Sequence, residues 1–246
     1  MSHLGEAERA TYEWQLNIPG LGEEAQAKLR ASTALISRCG GLGGPLAYSL
    51  AGAGIGRLIV AHGGNIKASD LNRQVLMTHD WIGKPRIASI VRRLREYNPH
   101  VLVEGVGENI SEANAAALVG RADIVFDCAP LFEERFLMNR ECVRQGKPMV
   151  EAAMFGLEGQ VTSIIPGRTP CLRCLYPETP PAWQRRFPVL GAVSAMAGAV
   201  AAVEGVKLLT GLGTPLTGVL LYFDAATMLF QRIPVQRRPE CPECGS

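Results

Sequence analysis

Aromatic residues are scarce in this chain, at 6% of 246 residues. So few rings exclude a stacking platform for bases or sugars. An excess of charge of one sign is missing as well: 25 Lys plus Arg stand against 23 Asp plus Glu, a net of +2. A chain that close to neutral advertises neither a nucleic-acid surface nor a membrane surface, and neither partner is expected. Met1–Gly20 lacks a basic-then-apolar pattern, so a cytoplasmic rather than exported protein is expected. Long apolar runs are absent too. The longest, Gly191–Val203, has 13 residues before Glu204, short of the ~20 that span a bilayer, and reads as a buried helix.

What is present is enough apolar material for a large core. Hydrophobic residues make up 47% and charged residues 20%, which excludes disorder as the main state. The length fits one α/β domain over 1–246, with a helical segment over 1–30 and two halves, 31–155 and 156–246. Apolar, β-branched runs at Ser32–Ser37, Arg57–Ala61, Val101–Val106, Ala122–Cys128 and Pro148–Phe155 read as strands. Helical patterns lie between them. Pro85–Tyr97 carries Ile87, Ile90, Val91 and Leu94 at helical spacing, Ser111 can cap a segment to Val119, and Leu131–Gln145 is amphipathic. Short apolar strands alternating with helices imply a mostly parallel sheet covered on both faces: a doubly wound α/β fold. After Phe155 the rhythm changes. Gly159–Ile165, Gly218–Phe223 and Met228–Val235 read as an antiparallel extension, and the Pro-rich Thr169–Phe187 reads as a long loop.

Seven cysteines are present, an odd number without an export signal, so a disulfide framework is a poor reading. Four form two C-x-x-C pairs, Cys171/Cys174 and Cys241/Cys244, separated by 66 residues. Four thiolates suit a closed tetrahedral Zn²⁺ site with a structural role. Cys128 and Cys142 read as packed core thiols. Cys39 lies in a glycine loop before a helix, where it is either inert or a reactive thiol of lowered pKa.

That loop, Arg38-Cys39-Gly40-Gly41-Leu42-Gly43-Gly44, joins the first strand to a helix over Pro45–Ala53. Glycines there let backbone N–H groups approach a phosphate at the helix N-terminus, although a plain turn also uses glycine. With Gly40-Gly41-Leu42-Gly43 stand Ala51-Gly52-Ala53-Gly54-Ile55-Gly56, then Leu71, Arg73 and Gln74 of an N-L-x-R-Q pattern. Asn98-Pro99-His100, Asp127-Cys128, Glu204-Gly205-Val206-Lys207 and the cysteine pairs follow. In this order the motifs resemble the MoeB/ThiF/HesA family, bacterial relatives of ubiquitin-activating enzymes, over nearly the whole chain.

The resemblance implies a Rossmann-like fold, a homodimer, and ATP-dependent adenylation of the C-terminal carboxylate of a ubiquitin-like sulfur carrier, or of a related carboxylate. It places nucleotide groups at Gly40, Gly41, Gly43, His62, Arg73, Gln74, Lys84 and Arg86, with Arg73 and Asp127 as catalytic groups, and gives the second half, 156–246, carrier binding, dimer contacts and the zinc tail. It also exposes departures. The first glycine of the loop is Arg38. The D-x-D that ends strand two is His62-Gly63-Gly64, the Asn of N-L-x-R-Q is Asp70, and the following Lys is Arg86, with Lys84 as a substitute ammonium. In D-C-T-D-N the second Asp is Pro130 and the Asn is Leu131, and R-Y-x-R-Q reads Thr11-Tyr12-Glu13-Trp14-Gln15. His62 is then either a ligand group or a solvated strand end, and Arg73 either a phosphate contact or a surface ion pair. Leu175–Ala192 holds no cysteine, which excludes a thioester there. These losses gather at the Mg-ATP positions, and imply either an altered adenylating enzyme or a non-catalytic subunit that grips a carrier or an active homologue.

Overall fold

The computed structural model describes residues 4–181, 183–184 and 186–245. Eight strands form one sheet in the order β3-β2-β1-β4-β5-β6-β7-β8. Strands β1 (Thr33–Ser37), β2 (Arg57–Ala61), β3 (Leu102–Val106), β4 (Ile124–Asp127) and β5 (Met149–Phe155) run parallel. Strands β6 (Glu158–Ile164), β7 (Val219–Asp224) and β8 (Leu229–Pro234) continue the sheet antiparallel. The expected doubly wound sheet with an antiparallel extension is thus the observed one, each strand within about a residue or two of its apolar run.

The helices are α1 (Glu6–Thr11), α2 (Glu13–Leu16), α3 (Gly22–Ala31), α4 (Gly43–Gly52), α5 (Arg86–Tyr97), α6 (Ala115–Gly120), α7 (Phe132–Gln145), α8 (Leu172–Leu175) and α9 (Gly191–Thr210). Helix α4 begins at Gly43, two residues before Pro45, because Gly44 N–H already bonds the Gly40 carbonyl at 2.9 Å. Helix α6 starts at Ala115 rather than beside Ser111, since the Asn114 side chain bonds Ser111 N–H at 2.9 Å and holds the preceding residues in a turn. The long loop contains the single-turn helix α8.

Strand residues alternate between two cores, as a period of two requires. Ala34, Ile36, Leu58, Val60 and Phe126 face α4, α5 and α9, whereas Leu35, Ile59, Val125 and Met149 face α6, α7 and the cysteine cluster. Helix α9 has the length and composition to cross a membrane. It packs instead against α4 and strands β4–β6. Its small residues serve contacts within the chain: a Cβ on Gly198 would meet the Leu42 carbonyl at 2.4 Å, and one on Gly205 would meet the Phe126 ring at 2.3 Å. The Glu204–Lys207 motif ends that helix internally. Glu204 is buried, accepts from Ser163 Oγ at 2.7 Å and Leu216 N–H at 2.6 Å, and pairs with Lys207.

The other surviving motifs do scaffold work. Asn98 donates to the Tyr12 hydroxyl at 3.0 Å and to the Ala51 carbonyl at 2.7 Å, while Gln15 donates to the Ala53 carbonyl at 2.9 Å. Gly54 takes a left-handed φ of 82° and Gly56 abuts the Arg30 carbonyl, where a Cβ would come within 1.8 Å. Only glycine fits that approach.

Candidate functional site

A cleft of about 450 Å³ opens at the carboxyl ends of β1, β2, β4 and β5, the place where doubly wound sheets bind ligands. The glycine loop forms one wall. Gly41 and Leu42 N–H groups have no acceptor among the described residues, so the N-terminus of α4 presents free donors to the cleft. Gly41 must be small because the Arg73 stem lies on it, with Cγ 3.0 Å from where a Cβ would sit. Arg38 adopts the left-handed conformation, φ 56°, at a cost of about 1–2 kcal/mol for a residue with a Cβ. A buried bidentate pair with Glu134 of α7 holds it, with Nε to Oε2 at 2.8 Å.

Residues 64, 70 and 86 form one unit. Arg86 binds Asp70 Oδ2 through Nε at 3.1 Å and through a terminal nitrogen at 2.7 Å. Its other terminal nitrogen lies 2.8 Å from where a Cβ of Gly64 would stand. The guanidinium therefore fills the space that a carboxylate side chain at 64 would occupy. Asp70 is capped further by Gln74 Nε2 at 2.8 Å and Lys67 N–H at 2.9 Å.

Of the expected nucleotide residues, Gly40, Gly41, His62, Arg73, Gln74 and Arg86 line the cleft. Gly43 stands behind it, against the Arg38 carbonyl. Lys84 is not brought there: its ammonium lies over the Trp81 ring, 5.2 Å from the centroid, so it does not replace a phosphate-binding lysine. His62 is not a solvated strand end either. It is 5% exposed, Nδ1 has no partner, and burial with Arg86 and Arg38 nearby lowers its pKa to about 4. Arg73 is more than a surface ion pair. It reaches the Ser69 carbonyl at 2.7 Å and Asn72 Oδ1 at 2.8 Å while facing the cleft.

Asp127, expected as a catalytic group, is fully buried behind the cleft lining and accepts from Arg135 Nε at 2.9 Å and Ala129 N–H at 3.1 Å. Burial pushes its carboxyl upward against the pull of Arg135. Arg135 also bonds Glu151 at 2.5 Å, and Glu151 bonds Gln160, which accepts from the Tyr176 hydroxyl at 2.9 Å. Asp127 is thus placed to orient Arg135, which does line the cleft. Sequence reasoning missed Arg135, Glu134 and the ring cluster of Phe132, Tyr176 and Trp183, whose centroids lie 5.3–6.0 Å apart around Phe132. The Glu134-Arg135 dipeptide, flanked by Phe132 and Leu137 on the buried side of an amphipathic helix, was the available signal. Cys39 is buried, donates to the Gly43 carbonyl at 3.2 Å, and burial raises its pKa. It is an inert thiol. Burial pushes Cys128 and Cys142 up as well.

The carboxylates nearest the glycine loop are held in ion pairs. A divalent cation needs carboxylate oxygens free to ligate. Near the glycine loop Asp70 pairs with Arg86, Glu134 with Arg38, and Asp127 and Glu151 with Arg135, which leaves Glu151 Oε2 without a partner. Pro130 lines the cleft and offers no side-chain ligand.

Zinc does fit its site. The four sulfurs of Cys171, Cys174, Cys241 and Cys244 lie within 4.8 Å of one another, with Cys171–Cys241 at 3.6 Å and Cys174–Cys244 at 3.4 Å. Tetrahedral Zn–S bonds of about 2.3 Å require sulfurs about 3.8 Å apart. Although burial opposes it, backbone N–H groups of Cys244 and Glu243 bring Cys241 down to about 7, which favours the ligating thiolate.

With that geometry in view, kinship is direct. The ThiF family profile matches residues 12–243. The chain belongs to the ThiF family. It is 46% identical over 247 residues to the vegetative HesA protein of Trichormus variabilis, covering all of this chain and 93% of that one. It is 35% identical to the sulfur carrier protein adenylyltransferase of Thermus thermophilus, over 95% of this chain and 90% of the relative. A solved structure of E. coli MccB with ATP superposes at a TM-score of 0.78, with 26% identity, across 90% of this chain and 68% of MccB. In this ThiF-family member the glycine loop and the cleft keep their places, while the carboxylates near the loop pair with arginines.

Proposed function

We propose that this chain is a carrier-activating protein that adenylates the C-terminal carboxylate of a ubiquitin-like sulfur carrier in cofactor or sulfur-metabolite biosynthesis. The observation that carries the reading is the continuous cleft. It runs from the free N–H groups of Gly41 and Leu42 past Arg73 to an aromatic end at Phe132, Tyr176 and Trp183. A nucleotide phosphate suits the first end, and an extended, uncharged peptide tail suits the second. In the reaction a carboxylate oxygen forms a bond to the α-phosphorus while the bond to the bridging oxygen of pyrophosphate breaks. Arg73 and the two N–H groups meet the charge that builds on the phosphoryl oxygens. Relatives named for adenylating sulfur carriers support the substrate class. A homodimer and a cytoplasmic setting belong to this reading.

A second reading is favoured by one specific observation. Among the described residues, Asp70, Glu134 and Asp127 near the glycine loop are paired with arginines. On that reading the cleft binds carrier or active homologue without chemistry. Carrier-dependent ATP–pyrophosphate exchange, run on the zinc-loaded chain, separates the two. Exchange above background that Arg73→Met reduces by at least tenfold supports adenylation. Carrier binding with no exchange overturns it in favour of the binding subunit.

A further inference from the structure

Away from the cleft, one polar side chain of α7 has a bond to spare. Asn139 is fully buried, and its carboxamide nitrogen has no partner among the described residues. The oxygen is engaged, accepting the Leu172 N–H at 2.8 Å. That bond fixes the orientation, because a flipped carboxamide would set its NH₂ against another N–H. Buried donors left without an acceptor are costly and rare, so the surroundings of this nitrogen matter.

Those surroundings are the cysteine cluster. Leu172 follows Cys171 inside the first C-x-x-C turn, and the bond to its N–H brings the carboxamide up to the sulfurs. Burial opposes the Cys171 thiolate, whereas a hydrogen bond from the Asn139 side chain favours it. Backbone N–H groups serve the cluster as well: Arg238 for Cys174 at 3.4 Å, Cys174 for Cys171, and Cys244 and Glu243 for Cys241. Asn139 adds a side-chain donor to that set. Four thiolates around one Zn²⁺ leave negative charge in excess. Donors aimed at the sulfurs spread that charge and hold the ligands in place. Asn139 also stands one helical turn after Arg135, so α7 carries both a cleft arginine and this contact.

We infer that the Asn139 carboxamide donates an N–H to the Cys171 sulfur, making it a positioning residue of the zinc site that fastens the first C-x-x-C turn to α7. The inference rests on the four-thiolate zinc site and adds a residue that is not itself a ligand. A cap on the Leu172 N–H alone would need only the oxygen. The fixed nitrogen is what separates the two roles.

The test loads the full chain with Co²⁺ in place of zinc and reads the thiolate-to-metal charge-transfer band, with zinc affinity from chelator competition beside it. Asn139→Asp keeps an acceptor for the Leu172 N–H and removes the donor to sulfur, while Asn139→Ala removes both. A sulfur that has lost an N–H donor gives up charge more readily, so the band should move to lower energy in both variants. Zinc should bind about tenfold or more weakly, as when other outer-shell partners are removed. A band that stays in place in Asn139→Asp overturns the inference, whatever Asn139→Ala does, and leaves Asn139 as a cap on the turn. If neither variant folds, the wild-type chain loaded with ¹¹³Cd decides. Scalar coupling between the Asn139 side-chain protons and cadmium then supports the bond, and its absence overturns it. A chain that binds neither Co²⁺ nor zinc through its thiolates overturns the zinc site and this inference together.

Discussion

At the scale of single residues, opposite charges beside the cleft compensate one another. Asp70 and Arg86 are packed against each other with side-chain exposures of 6% and 14%. Removing one partner of such a pair leaves an uncompensated charge, so Arg86→Met should cost about 3–5 kcal/mol in urea unfolding. The double change Asp70→Asn with Arg86→Lys should cost clearly less than its two singles combined, the mark of a coupled pair. Additive costs would show that the two side chains act independently. His62 makes a second residue-scale prediction. Its pKa is about 4 in the folded chain, against about 6.5 unfolded. Between those values the unfolded state binds more protons, so stability falls as pH falls through that window. From pH 7 to pH 5 the loss from this group is about 2 kcal/mol. His62→Phe should lose that much less than the wild-type chain over the same interval, measured by urea titration at both pH values.

At the scale of elements, α9 and the glycine loop are one structural unit. The close approaches of Gly191, Gly198 and Gly205 in α9 are to Asn72, Leu42 and Phe126 of the same chain. Replacing Gly198 with alanine gains up to ~1 kcal/mol of helix propensity. It also drives a methyl group to 2.4 Å from the Leu42 carbonyl, an overpacking worth about 1–3 kcal/mol. The backbone cannot rotate away as a side chain could, so the steric cost wins. Gly198→Ala should lower the melting temperature and weaken nucleotide binding, because the displaced residue is Leu42 of the loop. An unchanged melting temperature would show that the α9–α4 contact is slack. The strands were legible from their apolar runs, because residues buried on alternating faces of a covered sheet are almost all hydrophobic. The start of α4 was not, because it depends on a turn that the Gly40 carbonyl closes with Gly44.

At the scale of the whole molecule, the cysteine cluster ties the C-terminal tail to the loop after Pro170. Residues 171 and 241 are far apart in sequence, so bringing their sulfurs together restricts the unfolded chain strongly, and the metal bonds return that cost on folding. Metal analysis of the purified chain should find one zinc per molecule, and Cys241→Ser should lose it together with several degrees of melting temperature. Release of the metal should also open the backbone near Arg237 and Arg238 to trypsin. Arg237 reaches the Gly167 carbonyl at 3.1 Å, and Arg238 N–H bonds Cys174 Sγ at 3.4 Å, only while the tail is docked. A metal-free chain with an equally protected tail would refute the staple.

The sequence by itself determined the strand order's raw material, the glycine loop at a strand-to-helix turn, and the four zinc thiols, because each rests on local chemistry or on spacing. Tertiary structure alone decided how the charged residues are used. It buried His62, sent Lys84 to Trp81, enclosed Asp127 behind Arg135, and set Arg86 where a carboxylate could have stood. The physical reason is range. Backbone preference and hydrophobic period act over a few residues, whereas the field at a side chain is set by charges that the fold brings from Arg38, Asp70, Glu134 and Glu151, far apart along the chain and gathered in or just behind the cleft wall.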